Sequence, residues 1–106
     1  MRAAIINFAE AKLDGKMLWL GGMKEMGTEE QHEHQELVAL VDKYSWEEVL
    51  LVGKEFNGLQ GNHKWFENSQ QAAEYIHAHN PKGKSILIKG SRGSKMELLL
   101  QAMPEN

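Results

Sequence analysis

Four short apolar runs alternate with segments of helical period, and this alternation restricts the fold more than any other feature of the chain. The runs are KMLWLGG (16–22), EVLLVG (48–53), HKWFE (63–67) and SILIK (85–89). Helical spacing appears between them. Leu37, Leu40, Val41 and Tyr44 recur at i, i+3, i+4 and i+7; Ala72, Ala73, Tyr75 and Ile76 form a second stripe; Met96, Leu99, Leu100 and Met103 form a third. A first helix over 2–12 carries Ile5, Ile6, Phe8 and Ala9 and is ended by Asp14-Gly15. The expected order is therefore α-β-α-β-β-α-β-α. Strands that read as unbroken apolar runs are covered on both faces, so the pattern predicts an α/β domain. Its mostly parallel sheet of four or more strands would carry helices on either side.

Local signals support these boundaries. Thr28, followed by Glu29, Glu30 and Gln31, resembles a capping box that opens the second helix. Asn68 or Ser69 can cap the third, and Asn80-Pro81 stops it. In an open parallel sheet the ligand crevice lies outside the carboxyl ends of the strands, where strand order reverses. The loops at 21–28, 53–61 and 90–94 follow strands and should share that rim.

Composition narrows the function classes. The 106 residues suit one domain with a real core, and 42% are hydrophobic and 25% charged. A formal charge of −3 argues against a nucleic-acid partner, which needs a clustered basic face. The absence of cysteine excludes disulfides, thiol catalysis and cysteine–zinc sites, and fits a reducing cytoplasm. No apolar run approaches the about 18 residues of a membrane span, and the N-terminus lacks the apolar core of a signal peptide.

The loop KGSRGS (89–94) carries the most suggestive chemistry. A strand-to-helix turn offers free backbone amides to an anion. Lys89 and Arg92 add charge, and Ser91 a hydroxyl donor. The same residues also fit a plain turn, with Gly90 and Gly93 allowing the bend, Ser91 or Ser94 capping the helix and the cations solvated. The GKS at 83–85 is no phosphate loop, because Ala78 stands where its first glycine belongs and the segment enters a strand. Glu25 could accept hydrogen bonds from a ligand or simply be solvated. His32 with His34, and His77 with His79, are spaced i, i+2. On a helix that places them about 200° apart, so neither pair chelates from one face, and no metal site is expected. Trp19 reads as core, whereas Trp46 and Trp65 sit near element ends.

Two stretches together carry a resemblance. LGGMKEMGTEEQHEH (20–34) resembles an L-G-D-M-x-E-L-G…H signature, and ILIKGSRGSKME (86–97) resembles V-L-V-K-G-S-R-S…M-E. Both signatures belong to the C-terminal domain of the UDP-N-acetylmuramoyl-tripeptide–D-alanyl-D-alanine ligases, a branch of the Mur ligase family. EEVLLVGKEF (47–56) is similar to that domain's central V-G strand end, and MRAAIINFA (1–9) to its opening helix. The resemblance spans nearly the whole chain in the right order, and K-G-S-R is its most specific part.

The resemblance implies a Rossmann-like three-layer domain over residues 1–106 that receives the amino-acid acceptor and closes over a central ATPase domain. The N-terminal and central domains have no counterpart in these residues. It further implies a cytoplasmic ligase of peptidoglycan synthesis. That ligase uses ATP and magnesium to form an acyl phosphate on UDP-muramoyl-tripeptide, and the amine of D-alanyl-D-alanine attacks it. On this reading the domain binds no cofactor by itself, holds no catalytic residue and is inactive alone. The matched substrate-binding positions are Lys89, Gly90, Ser91, Arg92 and Glu25, with Lys54 on the same rim; His34, Gly21 and Gly27 would shape the loops. Three positions depart from the pattern: Gly22 replaces the usual Asp, Gly93 a Ser, and Val38 a glycine. The alternative is a non-catalytic α/β module that binds a small anion or a partner protein.

Overall fold

The computed structural model describes residues 2–22, 30–79, 83–90 and 94–103. The elements run α1 (Arg2–Glu10), β1 (Lys16–Gly21), α2 (Glu30–Val41), β2 (Glu48–Val52), a 3-10 turn (Lys54–Phe56), β3 (Lys64–Phe66), α3 (Ser69–Ala78), β4 (Ser85–Lys89) and α4 (Glu97–Ala102). The strands form one sheet in the order β3-β2-β1-β4, and every pairing is parallel. Trp19, at the middle of β1, pairs with Leu50 on one side and Ile88 on the other.

The two-residue period of the strands divides the core. Leu18, Leu20, Val49 and Leu51 pack with Ile5 of α1, with Leu37, Val38 and Val41 of α2, and with Phe56. Met17, Trp19, Leu50 and Val52 pack with Ala72 and Ile76 of α3 and with Met96 and Leu99 near α4. Helices therefore cover both faces, as the unbroken apolar runs require. Each fully buried leucine in this double core contributes about 1.5–3 kcal/mol relative to exposure.

Several boundaries differ from the sequence pattern, for local reasons. α1 ends at Glu10 because Lys16 reaches back to the carbonyls of Ala9 and Ala11, the latter at 3.1 Å, and places a cation at the helix C-terminus. α2 ends at Val41, so Tyr44 falls in the following turn, while Trp46 donates its indole N–H to the Val41 carbonyl at 2.9 Å. HKWFE contracts to the three-residue edge strand β3. Asn68 caps α3 by accepting the Gln71 backbone N–H at 2.9 Å. In α4, Leu99 is buried but Leu100 is 56% exposed, since the next residue on a helix points about 100° away. The Thr28 cap and the Asn80-Pro81 stop lie outside the described residues.

Candidate functional site

From β1 the chain steps to β2 and β3 on one side, then returns through α3 to place β4 on the other side of β1. Strand order thus reverses between β1 and β4, and the crevice outside their carboxyl ends is where Gly21 and Gly90 stand. These glycines allow very close packing. A side-chain carbon on Gly90 would lie 3.1 Å from the Gly21 Cα and 2.6 Å from the Ser94 Oγ. One on Gly21 would lie 2.5 Å from that same hydroxyl oxygen. The end of β1, the end of β4 and the residues entering α4 therefore meet at one point.

The turn after β2 joins them. The backbone N–H of Gly22 donates to the Val52 carbonyl at 2.9 Å, and that of Gly53 to the Phe66 carbonyl at 2.8 Å, which extends both strand pairs by one bond. Gly53 has φ 120°, a conformation that side chains oppose, and this lets the chain turn sharply into Lys54–Phe56. Trp65 donates its indole N–H to the Gly53 carbonyl at 2.8 Å. His34 of α2 is fully buried and meets Phe56 edge-on, with centroids 4.9 Å apart at 82°, so the turn is braced from below. Lys54 is exposed and Glu55 half-buried at the top of this turn. A cleft of about 480 Å³ opens here, lined chiefly by Gly53, Lys54, Glu55, Asn68, Ser94 and Lys95. That volume is in the range of small-molecule sites, about 300–1,000 Å³.

No family model matches the chain. It is 32% identical over 106 residues to the UDP-N-acetylmuramoyl-tripeptide–D-alanyl-D-alanine ligase of Rickettsia prowazekii, an alignment that covers 94% of this chain and 24% of the relative. A crystal structure of MurF from Acinetobacter baumannii superposes with a TM-score of 0.78 and 24% identity, over 95% of this chain and 24% of that one. The chain is a MurF-like domain. It spans about a quarter of the length of the curated relative it matches, and its all-parallel sheet between two helical layers has the architecture of the Mur ligase C-terminal domain.

Of the rim positions expected from the sequence, the MurF-like domain places Lys89 exposed at the end of β4, Gly90 directly after it, Lys54 at the start of the 3-10 turn and Gly21 at the end of β1. His34 lies beneath them, on Phe56. Glu25, Gly27, Ser91 and Arg92 lie outside the described residues. Sequence reasoning missed Glu55, Glu67, Asn68, Ser94 and Lys95 as lining of the cleft. Asn68 and Ser94 read only as candidate helix caps, and the two glutamates and Lys95 were not singled out. The one usable signal was Gly53, since a glycine that closes a buried strand marks the tight turn that carries Lys54 and Glu55.

Among the described residues no three His, Asp or Glu side chains gather to hold a metal ion. The chain carries no phosphate-loop motif. Among the described residues no helix is long and apolar enough to cross a membrane.

Proposed function

We propose that this chain is the acceptor-binding domain of a cytoplasmic ligase that joins D-alanyl-D-alanine to UDP-N-acetylmuramoyl-tripeptide in peptidoglycan synthesis. The observation that carries the reading is the 32% identity, across 94% of the chain, with a relative named for that reaction. The rim of glycine-tight turns at the switch point supports it.

The acceptor is an amine nucleophile with a carboxylate tail, so catalysis requires the tail held and the amine aimed at an activated acyl group. Lys89, Gly90, Ser91 and Arg92 form the anion-binding loop. Its amides and guanidinium grip the acceptor's carboxylate or the transferred phosphate, and Lys54 and Glu25 supply further contacts to the acceptor. ATP and magnesium are held by the central ATPase domain of the ligase, which is this domain's main partner and supplies the acyl phosphate. The domain contributes orientation, an effect that can reach about 7–11 kcal/mol in favourable intramolecular reactions, and its closure excludes water.

Two measurements test the reading. In a ligase chain that carries these residues, Arg92→Ala should lower turnover or raise the KM for D-alanyl-D-alanine. Unchanged kinetics would remove Arg92 from the site. The 106-residue chain, given ATP, magnesium, UDP-muramoyl-tripeptide and the dipeptide, should release no ADP; release would show that it is active alone.

A further inference from the structure

Gly22 and Gly53 together leave room for one carboxylate. A side-chain carbon on Gly22 would lie 2.5 Å from Glu55 Oε2 and closer still to Cδ and Oε1. A carbon on Gly53 would lie 2.5 Å from Oε1. The Glu55 carboxylate therefore rests flat on backbone that only glycine leaves bare, at the carboxyl ends of β1 and β2. Among the described residues no ion pair engages it, although ion pairs form elsewhere on the surface, as between Lys84 and Glu47 at 2.7 Å.

The surroundings indicate what such a carboxylate would meet. It borders the cleft of about 480 Å³ together with Lys54, Glu67 and Lys95, two cations and two carboxylates in one small space. A simple anion there would face Glu55 and Glu67, and a simple cation would face the two lysines. A small zwitterion satisfies both signs. Lys95 is held at φ 53°, a left-handed backbone rare for a residue with a side chain and enriched at functional sites. The free α-amino group has a pKa of about 7.7–8.0, so a dipeptide acceptor carries an ammonium at neutral pH.

From this arrangement we infer that Glu55, seated on Gly22 and Gly53, is a positioning residue that receives the acceptor's ammonium group while Lys95 faces its carboxylate. The inference rests on the acceptor-binding reading above and adds to it the group that orients the amine.

The test uses amide NMR titrations of this chain with D-alanyl-D-alanine and with its N-acetyl derivative, which has no ammonium. The wild type should bind the free dipeptide. Glu55→Gln should weaken that binding at least tenfold and leave the N-acetyl compound's affinity unchanged. Gly22→Ala inserts the carbon that displaces the carboxylate, in a backbone conformation alanine tolerates. It should reproduce the Glu55→Gln loss and add nothing in the Glu55→Gln background. Wild-type affinity for the dipeptide in Glu55→Gln, or equal losses for both compounds, overturns the role of Glu55 while the acceptor-binding reading stands. If the wild type shifts with neither compound, the acceptor-binding reading falls and this inference falls with it.

Discussion

Trp65 donates its indole N–H to the carbonyl of Gly53 at 2.8 Å, and that bond ties the edge strand to the turn bearing Lys54 and Glu55. Trp65→Phe keeps an aromatic ring but leaves the carbonyl without its donor. The expected cost is about 1–2 kcal/mol, read as a lower urea midpoint with an unchanged slope. Dipeptide affinity should fall as well, because the turn loses its anchor. An unchanged midpoint would show that water replaces the indole at no cost.

Glycines on the rim should respond differently from glycines elsewhere. Gly53→Ala meets both an unfavourable φ of 120° and the Glu55 carboxylate, and should cost about 1–3 kcal/mol. Gly58 has φ 82° with nothing within 4 Å, so Gly58→Ala pays only backbone strain, about 1–2 kcal/mol. Binding of the dipeptide should separate the two, falling for Gly53→Ala and holding for Gly58→Ala.

Leu99 and Leu100 are neighbours in α4 with opposite fates. Leu99 is fully buried against the sheet, whereas Leu100 is 56% exposed. Leu99→Ala should therefore cost about 2–5 kcal/mol and Leu100→Ala within about 0.5 kcal/mol, both by chemical denaturation. Similar losses at the two positions would contradict the orientation of this helix.

At the opposite end of β2, Tyr75 donates its phenol O–H to Glu48 at 2.7 Å. Burial, then the bond to Glu48 and its charge, pushes the phenol up to about 12 from the ordinary 10.0. A raised folded value means that the stabilisation is complete below pH about 10 and is lost as pH rises through about 12. Phenolate absorbance in a Tyr44→Phe background, where Tyr75 is the remaining tyrosine, should show this late titration. Tyr75→Phe should remove that step from the stability profile, and a Tyr75 midpoint near 10 would refute the environment described.

How much of this was legible in the chain can be judged from particular elements. SILIK became β4 with its ends unchanged, and KMLWLGG became β1 with one glycine trimmed, because continuous apolar character over a short run has few other solutions. Tyr44 and Leu100 were misplaced in their helical stripes. Helix period identifies which residues share a face, but a C-cap made by a distant side chain, such as Trp46 on Val41, decides where the face ends. For the site, Lys54 and Lys89 stood out as cations beside glycines. Glu55 did not, since a loop glutamate looks the same whether it is solvated or seated on another strand's backbone.

The sequence by itself determined the order of the elements, the parallel character of the sheet and the kinship carried by its two signature stretches. Each of these depends on residues close together in the chain. Only the tertiary structure decided that β4 returns beside β1, that α1 and α2 cover one face and α3 and α4 the other, and that Glu55 rests on Gly22. Those outcomes depend on which buried surfaces fit one another across long stretches of chain, a matter of shape that local period and composition do not encode.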